Sequence, residues 1–511
     1  MRKTCVITVD LVDVWAEPGR KKLARTLAWG DEVVVTAESA SQVEVETVYF
    51  DELPDGSILP VKVKGFIEPR ASLKLKATDL VKPKAQNDVL KVNFVDVQQG
   101  DGSVIEAPDG TVILVDGGDN QLFARYLAGR FRGTSLASPQ PIACILVTHG
   151  DADHFQGLPE ILESESNGEP RKRLFIAPQR IYHNGIVKRP GTVNGTRVRD
   201  VDLLGPTTVV DGKTFLTGLE TNLLDVPATE LNEPFKTWQT TLATYHQRAP
   251  LTFRRLAIGD PEAFTFFNTD DMKIEVLGPL TTTVGGTPAL PFLGNPPKGP
   301  RLGHESLELD TAPFTGHSAS HTINGHSVVF RLTYGGFSYL FAGDLNDEAS
   351  RHLTREHNAG RLNLRSEVFK VPHHGSADFS GALFQAVSPV VSVVSSGDES
   401  ARKEYIHPRA TLMGALGKWS RVPEPLIFVT ELVAFFNAEG FSKLANPKTT
   451  KQKARGEFYG FSRTAFGLVK TRTNGRRLFV YTDSGNVDQK EGYAYDLDSS
   501  GVPVPSKVVR A

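Results

Sequence analysis

The chain is 511 residues long, with 40% hydrophobic and 23% charged residues, which excludes collagen, coiled coil and wholly disordered classes and leaves room for more than one folding unit. With 57 Lys+Arg against 59 Asp+Glu the formal net charge is −2, so bulk charge names no partner and any nucleic-acid binding has to come from a local patch. Two cysteines, Cys5 and Cys144, are too few for a disulfide framework or a cysteine-rich zinc module, and a reducing cytoplasm is expected. Arg2 and Lys3 are followed by Asp10 and Asp13, which interrupt any apolar leader. The longest apolar run, 426–436, is broken by Glu431 and falls short of the ~20 residues that span a bilayer, so no membrane association is expected.

Residues 1–76 show β-type runs at 5–9, 32–36, 43–48 and 60–63, separated by turn signals at Pro18-Gly19, Gly30-Asp31 and Pro54-Asp55-Gly56. The pieces VWAEPG, LAWGDEVVV and GFIEP resemble bacterial SH3-like barrels. That resemblance implies a small β-barrel that either caps the next domain or binds a protein or polymer partner. Residues 77–88, with Pro83 and alternating charge, read as a linker.

From 89 to 425 the pattern becomes that of a packed α/β domain. A strand is expected at 92–97, strands at 103–107 and 112–115 should pair across Pro108-Asp109-Gly110, and 121–131 has helical spacing. The run 142–147 is continuously apolar, as a strand covered on both faces would be. A long insertion, 168–320, reads as mixed strand and loop; its middle, 285–303, holds five Gly and five Pro in nineteen positions and is either a lid or irregular. Strands at 328–332 and 337–341 form a hairpin turned at Gly335-Gly336, and 426–511 reads as an extension closed by an Asn-Gly hairpin, 467–473 with 476–482.

The chemistry concentrates where these strands end. In ILVTHGDADHFQG an apolar strand runs straight into His149, Asp151, Asp153 and His154, where α/β sheets place their sites. Imidazole suits zinc, manganese or iron, and carboxylates harden the site and can bridge two ions. YLFAGDL delivers Asp344, VFKVPHHGS delivers His373 and His374, and YIHP adds His407.

Together these residues resemble the metallo-β-lactamase fold hydrolases, in the branch similar to the nuclease domain of the ComEC DNA-uptake proteins. The shared motifs are DVQQGD with Asp96 and Asp101, VDGG with Asp116, THGDADH, NGHS with Asn324 and Ser327, AGD with Asp344, and HHGS with Ser376. Gln98 and Gln156 stand where that branch has glycine, and its membrane channel has no counterpart here, so only the hydrolytic domain carries over. The fold implied is an αββα sandwich preceded by the SH3-like module. The resemblance further implies two divalent ions, Zn²⁺ or Mn²⁺, that activate a water for in-line attack at phosphorus. His149 and Asp151 would hold one ion, Asp153 and His154 the other, Asp344 would bridge, and His373 or His374 would complete the shell. Asp153, Asp344, His374 and His407 are then the groups expected at the reacting atoms, with His407 a ligand, a general acid or a phosphate contact. Asp101, Asp116, Asn324 and Ser376 are expected to support the ligands from behind. Asp151 replaces a histidine common among relatives, which makes the centre less electrophilic and admits Mn²⁺ beside Zn²⁺.

Residues 443–477 hold ten Lys/Arg and one acidic residue with interleaved aromatics. Lys451, Lys453, Arg455 and Arg463 are candidate phosphate contacts there. A second basic cluster comprises 171–173, Arg180, Lys188 and Arg189. The leading expectation is a metal-dependent phosphodiesterase or nuclease with nucleic acid as substrate. The alternatives are a dinuclear hydrolase of a small ester or phosphodiester, and a metal-binding regulatory protein.

Overall fold

The computed structural model describes residues 2–52, 58–296, 314–397, 407–433, 435–443, 457–465, 467–483 and 491–511. Among them, an N-terminal antiparallel sheet of seven strands runs in the order Lys21–Ala28, Leu11–Glu17, Ile58–Ile67, Val43–Glu52, Glu32–Glu38, Lys3–Ile7, Val81–Pro83. Alternation explains its one-sided core: Val33 and Val35, Val43 and Val45, and Val12 and Val14 turn inward against Ile7 and Ile67. The segment read as a linker belongs to this sheet. Ala77 and Leu80 are buried in a 3-10 turn, and Val81–Pro83 pairs with the first strand at Ile7↔Val81 and Cys5↔Pro83. Its apolar residues cover an edge that would otherwise lie open.

Two further sheets pack face to face. The larger has ten described strands in the order Thr252–Arg255, Arg180–His183, Cys144–Leu146, Val112–Asp116, Gly102–Glu106, Leu90–Val95, Leu468–Thr473, Arg477–Thr482, Gly492–Leu497, Pro503–Ser506. The smaller has six, Met272–Gly278, Val329–Tyr334, Phe337–Phe341, Val368–Lys370, Val391–Val394, Leu426–Val429. Between them Phe94, Ile105, Val115 and Leu146 meet Phe330, Tyr339, Phe341 and Val391, all buried. The rings of Phe330 and Phe341 stack at 4.5 Å. Helices Leu122–Arg130 and Glu233–Arg248 cover the outer face of the larger sheet through Phe123, Leu127, Trp238 and Leu242. Asp347–Asn358, Gly381–Val387 and Ala410–Trp419 cover the smaller through Leu353, Phe384 and Leu412. The resulting order is helix, sheet, sheet, helix.

Two expectations change. Residues 426–511 do not form a separate extension: Leu426–Val429 pairs with Val391–Val394, and Leu468–Thr473 pairs with Leu90–Val95 at Val469↔Phe94 and Thr471↔Val92. The strand Leu90–Val95 is buried along its whole length and needs a partner on both edges. The insertion also holds a 16-residue helix, Glu233–Arg248, whose Asn232 accepts from the Phe235 N–H at 3.2 Å. Of the Gly/Pro-rich middle, Thr287–Pro291 is a strand and 297–303 lie outside the described residues. No helix among the described residues is long and apolar enough to cross a membrane.

The N-terminal sheet is tied to the sandwich by its own Asp10, 2% exposed, which accepts from Arg477 Nε at 3.0 Å and Nη2 at 2.7 Å. Leu11, Trp29 and Val89 pack on Phe479 and Tyr481 beside that pair, and Ala511 exchanges backbone hydrogen bonds with Leu11 and Asp13 at 3.0 Å. Arg477→Ala leaves the buried Asp10 carboxylate without its cation, held by the Val509 N–H at 2.7 Å, so a loss of about 3 kcal/mol is expected in urea unfolding, with faster proteolysis between the two parts.

Candidate metal centre

Strands of both sheets end at one edge of the sandwich, and the chemistry sits there. The parallel strand Cys144–Leu146 leads into His149, after which Asp151 caps the short helix Ala152–Phe155 that carries Asp153 and His154. From the facing sheet, Phe337–Phe341 leads to Asp344, and Val368–Lys370 leads to His373 and His374, both at φ +51° in a tight turn.

His149, His154, Asp344 and His374 are buried, the imidazoles at 1%, 0% and 2% exposure. Nε2 of His154 lies 3.1 Å from Asp344 Oδ1, and Nε2 of His374 lies 3.3 Å from Asp344 Oδ2 and 3.4 Å from Asp153 Oδ2. His149 Nε2 is 3.9 Å from Asp344 Oδ2. The ligand atoms of His149, His154 and Asp344, and those of Asp153, His154 and His374, each fall within 4.8 Å of one another.

The other ring nitrogens are held from behind. His154 Nδ1 faces Asp116 Oδ2 at 2.9 Å, and Asp116 in turn accepts from the Thr148 N–H and hydroxyl, both at 2.8 Å. His374 Nδ1 lies 3.1 Å from the Ser395 carbonyl and 3.3 Å from Asp101 Oδ1, whose other oxygen pairs with Lys370 Nζ at 2.6 Å. His149 Nδ1 is 3.3 Å from the hydroxyls of Ser327 and Thr148. Each Nδ1 is thus occupied and each Nε2 is left to point inward.

Among the described residues, His149 Nε2, His154 Nε2, His374 Nε2 and Asp344 Oδ1 find no hydrogen-bond partner although buried. Four such atoms in one place cost roughly 1–3 kcal/mol each unless something else binds them. A divalent cation fits that set in charge, donor type and number. Without an ion, carboxylates and imidazoles neutralise one another here: burial disfavours charge on His154 and His374, yet Asp344 with Asp116, and Asp344 with Asp101 and Asp153, push the two rings well above the usual imidazole range, so an ion would displace protons. Burial works against charge on Asp344, yet His374, His154 and His373 outweigh it and hold the carboxyl well below its ordinary range. Burial is likewise overcome at Asp153, by His374 and His154, and at Asp101, which Lys370 and His374 bring down to about 2. Burial pushes His149 well below the usual imidazole range, aided by His154, so its Nε2 lone pair is available to a metal.

The remaining expected residues fall at the rim or elsewhere. His373 Nε2 is 4.0 Å from Asp344 Oδ2, and the His407 ring lies 6.3 Å from the His373 ring. Burial, then His373 and His374, bring His407 down to about 4. Asp151 stands apart from both ligand groups: its Oδ1 is paired with Lys188 Nζ. Asn324, with its amide turned so that nitrogen meets acceptors, donates to Asp151 Oδ2 at 2.9 Å and to the Ser320 carbonyl at 3.1 Å. Ser376 shapes the histidine turn, donating from its N–H to the His373 carbonyl at 2.7 Å, while its hydroxyl accepts from the Asp378 N–H at 3.2 Å. Lys451, Lys453 and Arg455 lie outside the described residues, and Arg463 sits in the strand Glu457–Ala465 opposite Phe436. The second basic cluster is not one surface. Arg171 and Lys172 pair with Glu169, Arg189 with Glu220 and Glu230, and Arg180 lies over the Phe266 ring.

Thr148, Gln99, Lys370 and Lys188 join the centre without having been singled out for it. Gln99 Nε2 donates to Asp153 Oδ2 at 3.0 Å. The first three adjoin expected residues in VTHGD, QQGD and FKVPHH, so adjacency to a ligand was their signal; Lys188 had none beyond its charge.

Residues 95–174 match the model of the metallo-beta-lactamase superfamily, over the stretch that supplies Asp101, Asp116, His149, Asp153 and His154. The chain carries a metallo-beta-lactamase domain. Within it the chain is similar to competence protein ComA of Neisseria gonorrhoeae, 40% identical over 86 residues, 17% of this chain and 12% of that protein. It is also similar to ComE operon protein 3 of Bacillus subtilis (strain 168), 30% identical over 98 residues, 19% of this chain and 12% of that protein. The matched part spans only 12% of the length of either relative.

In the metallo-beta-lactamase domain, Asp116→Asn removes the charge behind His154 while keeping its size. It is expected to weaken divalent-ion binding by about 10–100-fold, read by metal titration.

Proposed function

We propose that this chain is a metal-dependent hydrolase that cleaves phosphodiester bonds of nucleic acid. The observation that carries the reading is the convergence of His149, Asp153, His154, Asp344 and His374 on one place, where buried donor atoms of His149, His154, His374 and Asp344 lack hydrogen bonds. A divalent ion bound there, Zn²⁺ or Mn²⁺, would supply a Lewis acid that lowers the pKa of water and polarises a phosphoryl oxygen.

The chain's own residues do the rest. Asp116, Thr148, Ser327, Asp101 and Ser395 fix the rings of His154, His149 and His374, so the Nε2 atoms are aimed before anything binds. His373 and His407, their rings 6.3 Å apart, stand beside this group, where either could meet a leaving oxygen. Similarity to two competence proteins supports a polymeric substrate over a small ester.

The test incubates Mn²⁺- or Zn²⁺-loaded protein with plasmid, single-stranded DNA, RNA and bis(p-nitrophenyl) phosphate, beside a His149→Ala control. Cleavage of a polymer by the native protein alone is expected. Polymers left intact while the small diester is hydrolysed would give the second reading, a small-molecule phosphodiesterase.

A further inference from the structure

The place where the resemblance puts a first ion is filled by a side chain. Asp151 is the residue that should hold that ion, yet both of its oxygens are engaged by protein donors. Oδ1 takes the Lys188 ammonium in a close ion pair and Oδ2 takes the Asn324 amide. Both charged side chains are largely covered, Lys188 at 28% and Asp151 at 18% exposure. The lysine is held there by its backbone. The strand Arg180–His183 runs into buried Ile186 and Val187, and the Lys188 carbonyl accepts from the N–H of Asn232 at 3.0 Å, at the start of the helix Glu233–Arg248.

The atoms that lack partners tell the complementary story. At the centre they belong to His149, His154, His374, Asp344 and Asp101, with Nδ1 of His373 at the rim, and none to Asp151. The two ligand groups His149, His154, Asp344 and Asp153, His154, His374 share His154, and neither includes Asp151. In the third group, Asp101, Asp116 and His154, Asp116 is hydrogen-bonded to His154 Nδ1 and Asp101 is ion-paired with Lys370 and lies 3.3 Å from His374 Nδ1. A dication on Asp151 would have to expel an ammonium already on the same carboxylate, against Coulomb repulsion in a poorly solvated site.

We propose that Lys188 takes the part of the second cation, so that the centre binds a single divalent ion through His149, Asp153, His154, Asp344 and His374. Lys188 is a positioning residue that acts through Asp151. It fixes that carboxylate and takes the place beside it that an ion would occupy. This deepens the reading of a metal-dependent hydrolase and rests on it.

The test is stoichiometry, read on the full chain by titrating metal-free protein with Mn²⁺ and measuring bound ion and the electron paramagnetic resonance spectrum. One equivalent with the six-line signal of an isolated Mn²⁺ is expected. Asp151→Asn and Lys188→Arg are expected to stay at one equivalent, because neither opens the carboxylate to an ion. Lys188→Met is expected to rise to two equivalents, with the spectrum broadened by coupling between neighbouring ions. Two equivalents on the native protein, or one on Lys188→Met, overturns the inference and leaves the hydrolase reading standing. No bound ion on the native protein, with no metal-stimulated cleavage, overturns both.

Discussion

Asp344→Ala is expected to lower kcat/KM for phosphodiester cleavage by on the order of 10³, the scale of removing a Lewis-acid contact from the transition state, and to strip the protein of most of its bound ion. The reason is position. The Asp344 oxygens face the Nε2 atoms of His154 at 3.1 Å and His374 at 3.3 Å, with His149 at 3.9 Å and His373 at 4.0 Å. No other carboxylate among the described residues stands between all four imidazoles. Its backbone N–H is held by the Ser327 hydroxyl at 3.0 Å, which fixes the side chain's point of attachment. Metal analysis and turnover measured on the same preparation check the result. Full activity with full ion content would remove Asp344 from the centre.

Gly100→Ala is expected to be the most damaging change outside the ligands. Gly100 adopts φ +104°, and a Cβ there would lie 1.7 Å from the Asp153 carbonyl oxygen. Backbone strain and the steric conflict each cost about 1–3 kcal/mol, so a loss of roughly 3–5 kcal/mol in urea unfolding is expected. Because the carbonyl belongs to Asp153, ion binding should weaken as well. Gly110→Ala is the comparator. It sits at φ +93° with nothing within 4 Å of its added Cβ, so it carries the strain without the collision and should leave ion binding unchanged. Equal losses at the two positions would mean that the close approach at Gly100 is relieved elsewhere.

Much of this was legible in the sequence because buried strands are written as unbroken apolar runs. The runs ending at His149, Asp344 and His373 sit at the same edge of the sandwich, and Asp101 and Asp116 lie behind His374 and His154. Local hairpins were equally plain: Gly102–Glu106 pairs with Val112–Asp116, and Val329–Tyr334 with Phe337–Phe341. What escaped depended on distant partners. The Thr471 hydroxyl donates to the Val92 carbonyl 379 residues away, and pairing at that separation leaves no local trace. The helix Glu233–Arg248 went unread because its inward residues Phe235, Trp238, Leu242 and Tyr245 are diluted by four threonines. Motif spacing put Asp151 among the ligands; only the path of a later loop brings Lys188 onto it.

Because three of the donors, His149, Asp153 and His154, hang from one sheet and two, Asp344 and His374, from the other, an ion seated among them would act as a rivet through the sandwich. Sliding of the sheets across the Phe330–Phe341 stack would shear the coordination, and filling the centre would resist that slip. Thermal resistance should therefore climb with free ion, by about 2.7 kcal/mol at a hundredfold excess over the dissociation constant. Chelators would then soften the whole domain as well as silence it.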